Sequence, residues 1–564
     1  MKKKVLSLVA CALIATTCVG AAACGKTKIN DDAGDKSVLY VTNYNGGFGD
    51  KWMAEMEKRF EEKYAERSFE KDKKGVDVRV LNEHDGGSTY FDKVDAAKGE
   101  VFFIEDVDYY EWAGNSKLLD ITDVVNSIAD GETIKSKMSP EQQAFYNYKG
   151  EGKYYALPHH DHQAGLVYDV DLFEEEAFFY KKDGAPSEKN YTGTTAFTAP
   201  NAKRDNLSAG PDGQYGTADD GLPATYDEFY ALCDYMIKKD TDIDIVPIVW
   251  SGSNRKDYLS WFLSELAADY EGKEQLELNY TFSGTAKNLI EIDDKGNIVK
   301  LPETEITPAE GYKIYKTAGR YYALDFLDRI ADTDAWNAEN NFGSLDQHGA
   351  QYQFLAGKTG DVKTKFGKTV RHAFLMDGNW WENEATGDFD RLVDNKGESY
   401  SKKERNFAFM PLPKATEDKI GEKFTIATTD LTNAFIKASI KESKIELAKE
   451  FLKFCYEDAQ LVAFNKTTGL PASVDYELSA DEYNELSKYA QSCYDVRKSV
   501  VAPYSQNAIY LNNYSSLKLC KTFSVSAGSI ADDLKGAKTA KQLFKSLYSN
   551  KTETAWKQSY SRFF

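Results

Sequence analysis

The chain has 564 residues, 42% of them hydrophobic and 13% aromatic, with a formal net charge of −20 at pH 7. That length exceeds what one core fills and points to two or three lobes, and the apolar content is too high for a disordered chain. The acidic balance argues against nucleic acid or an anionic membrane surface as the main partner, since both are polyanions; it leaves a neutral ligand open.

At the N-terminus Lys2, Lys3 and Lys4 precede an apolar run, residues 5–20, that is too short to span a bilayer as a mature anchor. Ala21-Ala22-Ala23-Cys24-Gly25 follows and resembles a bacterial lipobox, with Ala21 standing where Leu is usual. The resemblance implies that residues 1–23 are a lipoprotein signal peptide and that Cys24 carries the lipid anchor. It places the protein on the extracellular face of the bacterial cell membrane, touching the membrane only through that anchor. An ordinary secretory signal cut nearby is the alternative. No later run is long and apolar enough for a transmembrane helix. Besides the leader and Cys24, four cysteines remain, Cys233, Cys455, Cys493 and Cys520, in no zinc or disulfide spacing. A Cys493–Cys520 bridge stays open.

Residues 24–36 are polar and read as a tether. Val38 to Val41 is a buried-type strand, followed by the Gly-rich loop NYNGGFGD and a helix with Trp52, Met56, Phe60 and Tyr64 on one face. Val76, Val78 and Val80 alternate as a second strand, and the run VFFI at 101–104 is a third. Strand and helix alternating at this spacing predict a parallel α/β sheet. Ligands of such sheets sit at the carboxyl ends of the strands, which puts Asn45, Asp108 and Tyr109 on cleft-edge loops. The stretch KYYALPHHDHQAGLVYDVDLF, 153–173, reads as two strands meeting at a stiff polar loop, because Pro158 biases Leu157 to extended geometry. That is the pattern of a hinge between lobes.

Beyond it, residues 174–221 form an irregular insertion, and Thr225 with Glu228 sets a capping box for a helix. The run IVPIVW ends at Trp250, residues 276–305 are polar and irregular with a surface hairpin open as a reading, and a strand from Arg371 leads into DGNWWENE. FAFMPLP, 407–413, is extended and proline-stopped, a second candidate crossing. Ser443 with Glu446 suggests a further capping box, and Gly469-Leu470-Pro471 ends that helical region.

Four stretches in order resemble family 1 extracellular solute-binding proteins, the capture subunits of ABC sugar importers related to maltose-binding protein. They are the 153–173 crossing, PATYDEFYALC, FLMDGNWWENE and ELAKEFLKFC…TTGLPAS. The resemblance implies a two-lobe periplasmic-binding-protein-like fold of type II, with a ligand cleft between lobes joined by multiple hinge crossings. Mapped onto this chain, lobe one is 36–157 plus 408–470 and lobe two is 158–407 plus 471–564. It implies a monomer whose partners are a carbohydrate and the permease subunits of an ABC transporter, and the chain's extra length suggests an oligosaccharide over a monosaccharide.

For the site, Trp380 matches the family's stacking tryptophan, Trp381 stands beside it, and Trp250 offers a second platform. An aromatic face stacks on the C–H face of a sugar while nearby polar groups take its hydroxyls. Neighbours on an extended chain point opposite ways, so one of Trp380 and Trp381 belongs to a core. Trp261 and Trp52 read as helix packing. His160 and Asp161 in the hinge loop read as polar ligand contacts, with metal binding or plain solvation as alternatives. Asp212, Gln214, Asp219 and Asp220 sit in a Gly-rich turn that resembles the calcium loop of large alginate-oligosaccharide-binding relatives. A structural calcium or a solvated acidic turn are both open there, and no cofactor is required. Gly357-Lys358-Thr359 and Gly367-Lys368-Thr369 lack the earlier glycine of a P-loop, and neither a GxSxG elbow nor an HExxH motif occurs. The expected function is a lipid-anchored sugar receptor and not an enzyme. A peptide receptor and a cell-surface glycosidase are the rivals.

Overall fold

The computed structural model describes residues 34–160, 162–182, 196–427, 432–499, 527–549 and 551–560. Cys24, Asp161 and Cys520 lie outside the described residues. In chain order the elements that build the cleft are β1 (Ser37–Tyr44), α1 (Lys51–Lys63), β2 (Val76–Glu83) and β3 (Val101–Ile104). Next come β4 (Leu157–Pro158), β5 (Ala164–Asp169), α2 (Tyr226–Lys238), β6 (Asp244–Trp250) and α3 (Arg255–Thr281). The set closes with β7 (Val370–Gly378), β8 (Phe407–Met410), β9 (Asn433–Ile436), α4 (Glu442–Cys455) and α5 (Asp458–Thr468).

These strands make two mixed sheets. The first runs β2-β1-β3-β9-β4, with β1 parallel to β2 and β3, and β9 antiparallel to β3 and β4. The second runs β6-β7-β5-β8, with β6 and β7 parallel and β5 antiparallel to both β7 and β8. Their central strands are covered on both faces, and β3 (VFFI) is wholly apolar for that reason, whereas β7 also buries Arg371, His372 and Asp377. All four residues of β3 and all nine of β7 are buried.

Each sheet carries its own core. Trp52, Met56 and Phe60 of α1 pack with Phe103 and with Phe451 and Phe464 of α4 and α5 around the first. Phe229 of α2, Phe326, Phe374 and Phe407 cluster around the second. This is the two-lobed α/β architecture that the motif order implies. The chain passes from the first sheet to the second after β4 and returns before β9.

Two boundaries differ from expectation. The return crossing does not fall at 408: β8 pairs with β5 from Phe407 to Met410 and belongs to the second sheet. The chain reaches the first sheet only at Asn433, so the proline-stopped look of 407–413 marks a strand end and not a hinge. Ser443 does not cap α4 either. The helix already starts at Glu442, with Lys441 at the N-cap and no side-chain bond. At α2 the capping expected from Thr225 is present: its hydroxyl accepts the Glu228 N–H at 3.3 Å. The Glu228 carboxylate accepts the Ala224 N–H at 2.5 Å. The stretch 276–305 is more ordered than its polarity suggests. Its start completes α3, and Gly284–Ala286 with Thr304–Ile306 and Ile290–Ile292 with Ile298–Lys300 form two short antiparallel ladders. Helix α3 breaks at Gly272, where φ is +69°, a left-handed angle that glycine adopts without a Cβ penalty. Cys233, Cys455 and Cys493 are buried and form no disulfide among the described residues. Among the described residues no helix is long and apolar enough to cross a membrane.

A buried ion network ties β5 to its neighbours. Asp169 Oδ2 accepts Arg371 Nη2 at 2.7 Å and Arg405 Nη2 at 3.1 Å, and Oδ1 caps the next helix through the Leu172 N–H at 3.2 Å. Burial alone would raise the Asp169 carboxyl, but the two guanidiniums outweigh it and hold it below its ordinary range. Asp169→Asn removes the carboxylate that both arginines share, leaving Arg371 with Glu175 at 2.6 Å and Arg405 with Asp171 at 3.0 Å, and should cost ~3 kcal/mol in denaturant unfolding. A loss below ~1 kcal/mol would mean the network is not needed for the fold.

Glu271, beside the kink, behaves in the opposite sense. Burial pushes its carboxyl from an ordinary 4.5 up to about 7, partly offset by the Gly319 N–H at 2.6 Å and Asn288 at 3.3 Å. A carboxyl raised in the folded state favours folding below its unfolded pKa, and that contribution is lost as pH rises through about 7. Glu271→Gln should therefore flatten the stability curve between pH 5 and 8, making the variant the more stable protein at about pH 8. Parallel pH dependence in wild type and variant would contradict this.

Candidate functional site

Three passes of the chain meet side by side between the sheets, and backbone hydrogen bonds lash them together. The first is 157–163. Its His159 N–H donates to Thr432 O at 3.0 Å, and its His160 N–H donates to Thr432 Oγ1 at 2.9 Å. The Thr432 hydroxyl donates back to His160 O at 2.6 Å. The third pass, at Ala472 and Ser473, bridges His160 and donates the Ser473 N–H to His159 O at 3.1 Å. On the far side Gln163 and Asn379 bond at the start of β5 and the end of β7. The hinge is thus a short ribbon built from three distant stretches of sequence.

The carboxyl ends of β1, β6 and β7 open onto this ribbon. The loop after β1 crosses to the second lobe: Gly47 O accepts Asn383 Nδ2 at 2.8 Å. A Cβ at Gly47 would sit 2.6 Å from Trp380 Cβ, so only glycine allows this approach. Lys273 of α3 pairs with Glu141 across the same divide. Trp380 is carried by the end of β7, yet its ring joins the first lobe's apolar cluster together with Tyr258. Its indole N–H bonds the Tyr258 hydroxyl. His162 stacks on it with centroids 3.9 Å apart and planes 10° from parallel, and Trp261 meets both rings edge-on at 5.0 and 5.6 Å.

The imidazoles beside this cluster are neutral. Burial pulls His159 and His162 down to about 3, and pulls His160 well below its ordinary value, with His159 and His162 adding to the effect. His159 Nε2, His160 Nδ1, His162 Nδ1 and Gln163 Nε2 are buried atoms without a hydrogen-bond partner among the described residues. Behind Trp380, Gln351 Nε2 bridges the carboxyls of Asp377 at 3.1 Å and Glu384 at 2.6 Å. Burial raises both acids, Asp377 strongly, and Glu384 beside it raises Asp377 further. Rings, neutral nitrogens and acids that burial shifts toward the protonated form suit a polar, uncharged ligand.

The site residues expected from sequence divide. Trp380 and His160 lie at the hinge, although both are buried, with Phe48 edge-on to His160 at 4.7 Å. Asn45 is half-buried on the loop after β1, its N–H held by Glu83 O at 2.7 Å. Asp108 is half-buried and caps the following helix through the Glu111 N–H at 3.2 Å. Tyr109 is not a cleft residue: it begins that helix facing inward, and its hydroxyl donates to Tyr146 O at 2.7 Å in the first core. Trp250 and Trp381 are not platforms, since both are fully buried in the second core. Trp250 ends a strand covered on both faces, and Trp381 packs edge-on to Phe407 and Tyr489. Asp161 lies outside the described residues.

The acidic turn bonds to itself. Asp219 accepts the Asp212 N–H at 2.9 Å and the Thr217 hydroxyl at 2.7 Å, Asp220 accepts the Gly216 N–H at 2.8 Å, and Asp212 accepts the Gln214 N–H at 2.7 Å. Burial pushes Asp219 up to about 6. Among the described residues no group of three or more His, Cys, Asp or Glu side chains converges as a metal site.

Two contributors escaped the sequence reading. Tyr258 and Trp261 lie three apart in the first turns of α3, a spacing that also describes an ordinary buried helix face. Only the position of α3 directly after β6, at a strand's carboxyl end, could have singled them out.

No protein-family model and no curated protein matches the chain. Solved structures do. Maltose-bound MalE3 of T. maritima is 15% identical, covering 91% of this chain and 98% of its own, with a TM-score of 0.50. A structure from work on xylan utilisation by the thermophilic bacterium Caldanaerobius polysaccharolyticus is 11% identical, covering 88% and 99%, with a TM-score of 0.50. The ABC substrate-binding protein Lmo0181 from Listeria monocytogenes in complex with cycloalternan is 15% identical, covering 92% and 99%, with a TM-score of 0.49. At these identities the likeness is one of fold, and the fold is the two-lobed one of solute-binding proteins.

The glycine contact makes a direct test. Gly47→Ala should push the loop after β1 away from Trp380 and open the angle between the lobes. Small-angle scattering of the variant should give a larger radius of gyration than wild type, with the melting temperature nearly kept. Identical scattering curves would mean the contact does not set the lobe angle.

Proposed function

We propose that this protein is a lipid-anchored extracellular receptor that captures a carbohydrate, an oligosaccharide on our reading, and hands it to the permease of an ABC importer. The observation that carries the reading is the cluster of Trp380, Trp261 and Tyr258 beside unpartnered neutral imidazoles, set where the two sheets meet. Aromatic faces and uncharged hydrogen-bonding groups are what a sugar's C–H faces and hydroxyls need. A ligand held by groups from both lobes stabilises the closed arrangement by its differential affinity, and the Asn383–Gly47 bond is one contact that closure would gain. On this reading the protein binds and releases its ligand unchanged, and works as a monomer.

Calorimetry of the acyl-free mature chain against malto-, xylo- and chito-oligosaccharides, with cationic peptides alongside, tests the class of ligand. One sugar series should bind, and Trp261→Ala should weaken it by ~1–3 kcal/mol, roughly ten- to a hundredfold in Kd, with the fold intact because that ring is half-buried. Binding of peptides and of no sugar would replace the reading with a peptide receptor. Cleavage of a sugar, abolished by a carboxylate substitution, would replace it with a glycosidase.

The anchor is tested separately. Cys24→Ala should release the protein from washed cells into the medium, because stable attachment takes more than one acyl chain and the variant would carry none. Retention equal to wild type would remove the lipid anchor from the reading.

A further inference from the structure

We propose that the imidazole of His162 occupies the seat on Trp380 that a sugar ring would take, which makes His162 the residue a ligand must displace. This rests on the receptor reading given above. The two rings lie parallel with centroids 3.9 Å apart. Backbone closes on the indole as well: a Cβ at Gly378 would come within 2.0 Å of its six-membered ring. Trp380 is accordingly only 4% exposed. In this arrangement a ligand gains the indole face only if one of these two covers moves.

Gly378 is the fixed one, paired with Ala164 at the end of a fully buried strand. His162 is the movable one. It is half-buried, lies between the hinge ribbon and β5, and its Nδ1 has no partner to lose among the described residues. The ring is neutral, so its departure needs no proton transfer and abandons no ion pair. Trp261, edge-on to both rings, borders the seat and limits it to one flat group at a time.

The position of His162 gives displacement a consequence. Two residues upstream, His160 is held through its N–H and its carbonyl by Thr432 of the second pass. One residue downstream, Gln163 is bonded to Asn379, the neighbour of Trp380. A ligand that lifts the imidazole therefore pulls on the ribbon that sets the lobe angle, and a solute without a flat C–H face cannot replace the stacking that it removes. His162 is thus a positioning and specificity-determining residue.

The test compares the intact mature chain with His162→Ala and His162→Phe, using maltotriose, xylotriose and chitotriose as probes. For whichever probe binds the wild type, His162→Ala should bind about two- to tenfold tighter, because a competing ring contact is gone. His162→Phe should bind at least about threefold more weakly, with melting unchanged, because a better-stacking ring holds the seat. Weaker or equal binding by His162→Ala would overturn the proposal, the first outcome marking His162 as a ligand contact. A second arm needs no sugar. In protein labelled with 5-fluorotryptophan, the Trp380 resonance, identified by its loss in Trp380→Phe, should shift and become solvent-sensitive in His162→Ala. An unmoved resonance would overturn the seat even if sugars bind. A shifted resonance with no probe bound would sustain the seat and count against the receptor reading.

Discussion

The hydroxyl of Thr432 is the tie between the stretches of chain that join the two sheets. It accepts a backbone N–H from His160 and donates to the carbonyl of the same residue, joining two stretches of chain that lie 272 residues apart. Such bonds cost most when left unmade in a buried ribbon, because each group would then be desolvated without a partner. Everything at the cleft inherits its position from that ribbon: the loop after β1 reaches Asn383, and Trp380 lies under His162, only at the lobe angle the ribbon sets.

Charge is distributed to match. Charges buried inside the second lobe are paired where they serve the fold, as Asp169 is with Arg371 and Arg405. Near the aromatic cluster burial instead shifts the titratable groups toward their neutral forms, histidines downward and acids upward. Both follow from desolvation, which disfavours whichever form is charged.

The chain's apolar runs made the fold legible. Uninterrupted stretches such as 101–104 and the core 373–376 of β7 belong to strands covered on both faces, and the polar break that begins at 159 is where the chain changes lobe. What stayed hidden follows from partners remote in sequence. FAFMPLP reads as a crossing until one knows that β5 lies beside it. Trp380 and Trp381 are adjacent and chemically alike; one joins the first core and the other the second, because the chain turns into a helix between them. Trp250 looks like a platform at a strand end, but a neighbouring loop bearing Phe342 and Asn341 covers it. Tyr258 and Trp261 carry no local mark distinguishing a cleft face from a core face.

The strand order has a consequence for synthesis. β9, residues 433–436, lies between β3 and β4 in the first sheet, whereas all strands of the second fall between residues 164 and 410. As the chain leaves the ribosome, N-terminal segments become available first. The sheet that begins earlier is nevertheless completed later: β4 has no partner in its sheet until β9 emerges. Until then the edges of β3 and β4 expose unpaired backbone, the kind of surface that recruits other chains. A nascent chain stalled between residues 410 and 433 would hold a finished second sheet beside an open first one.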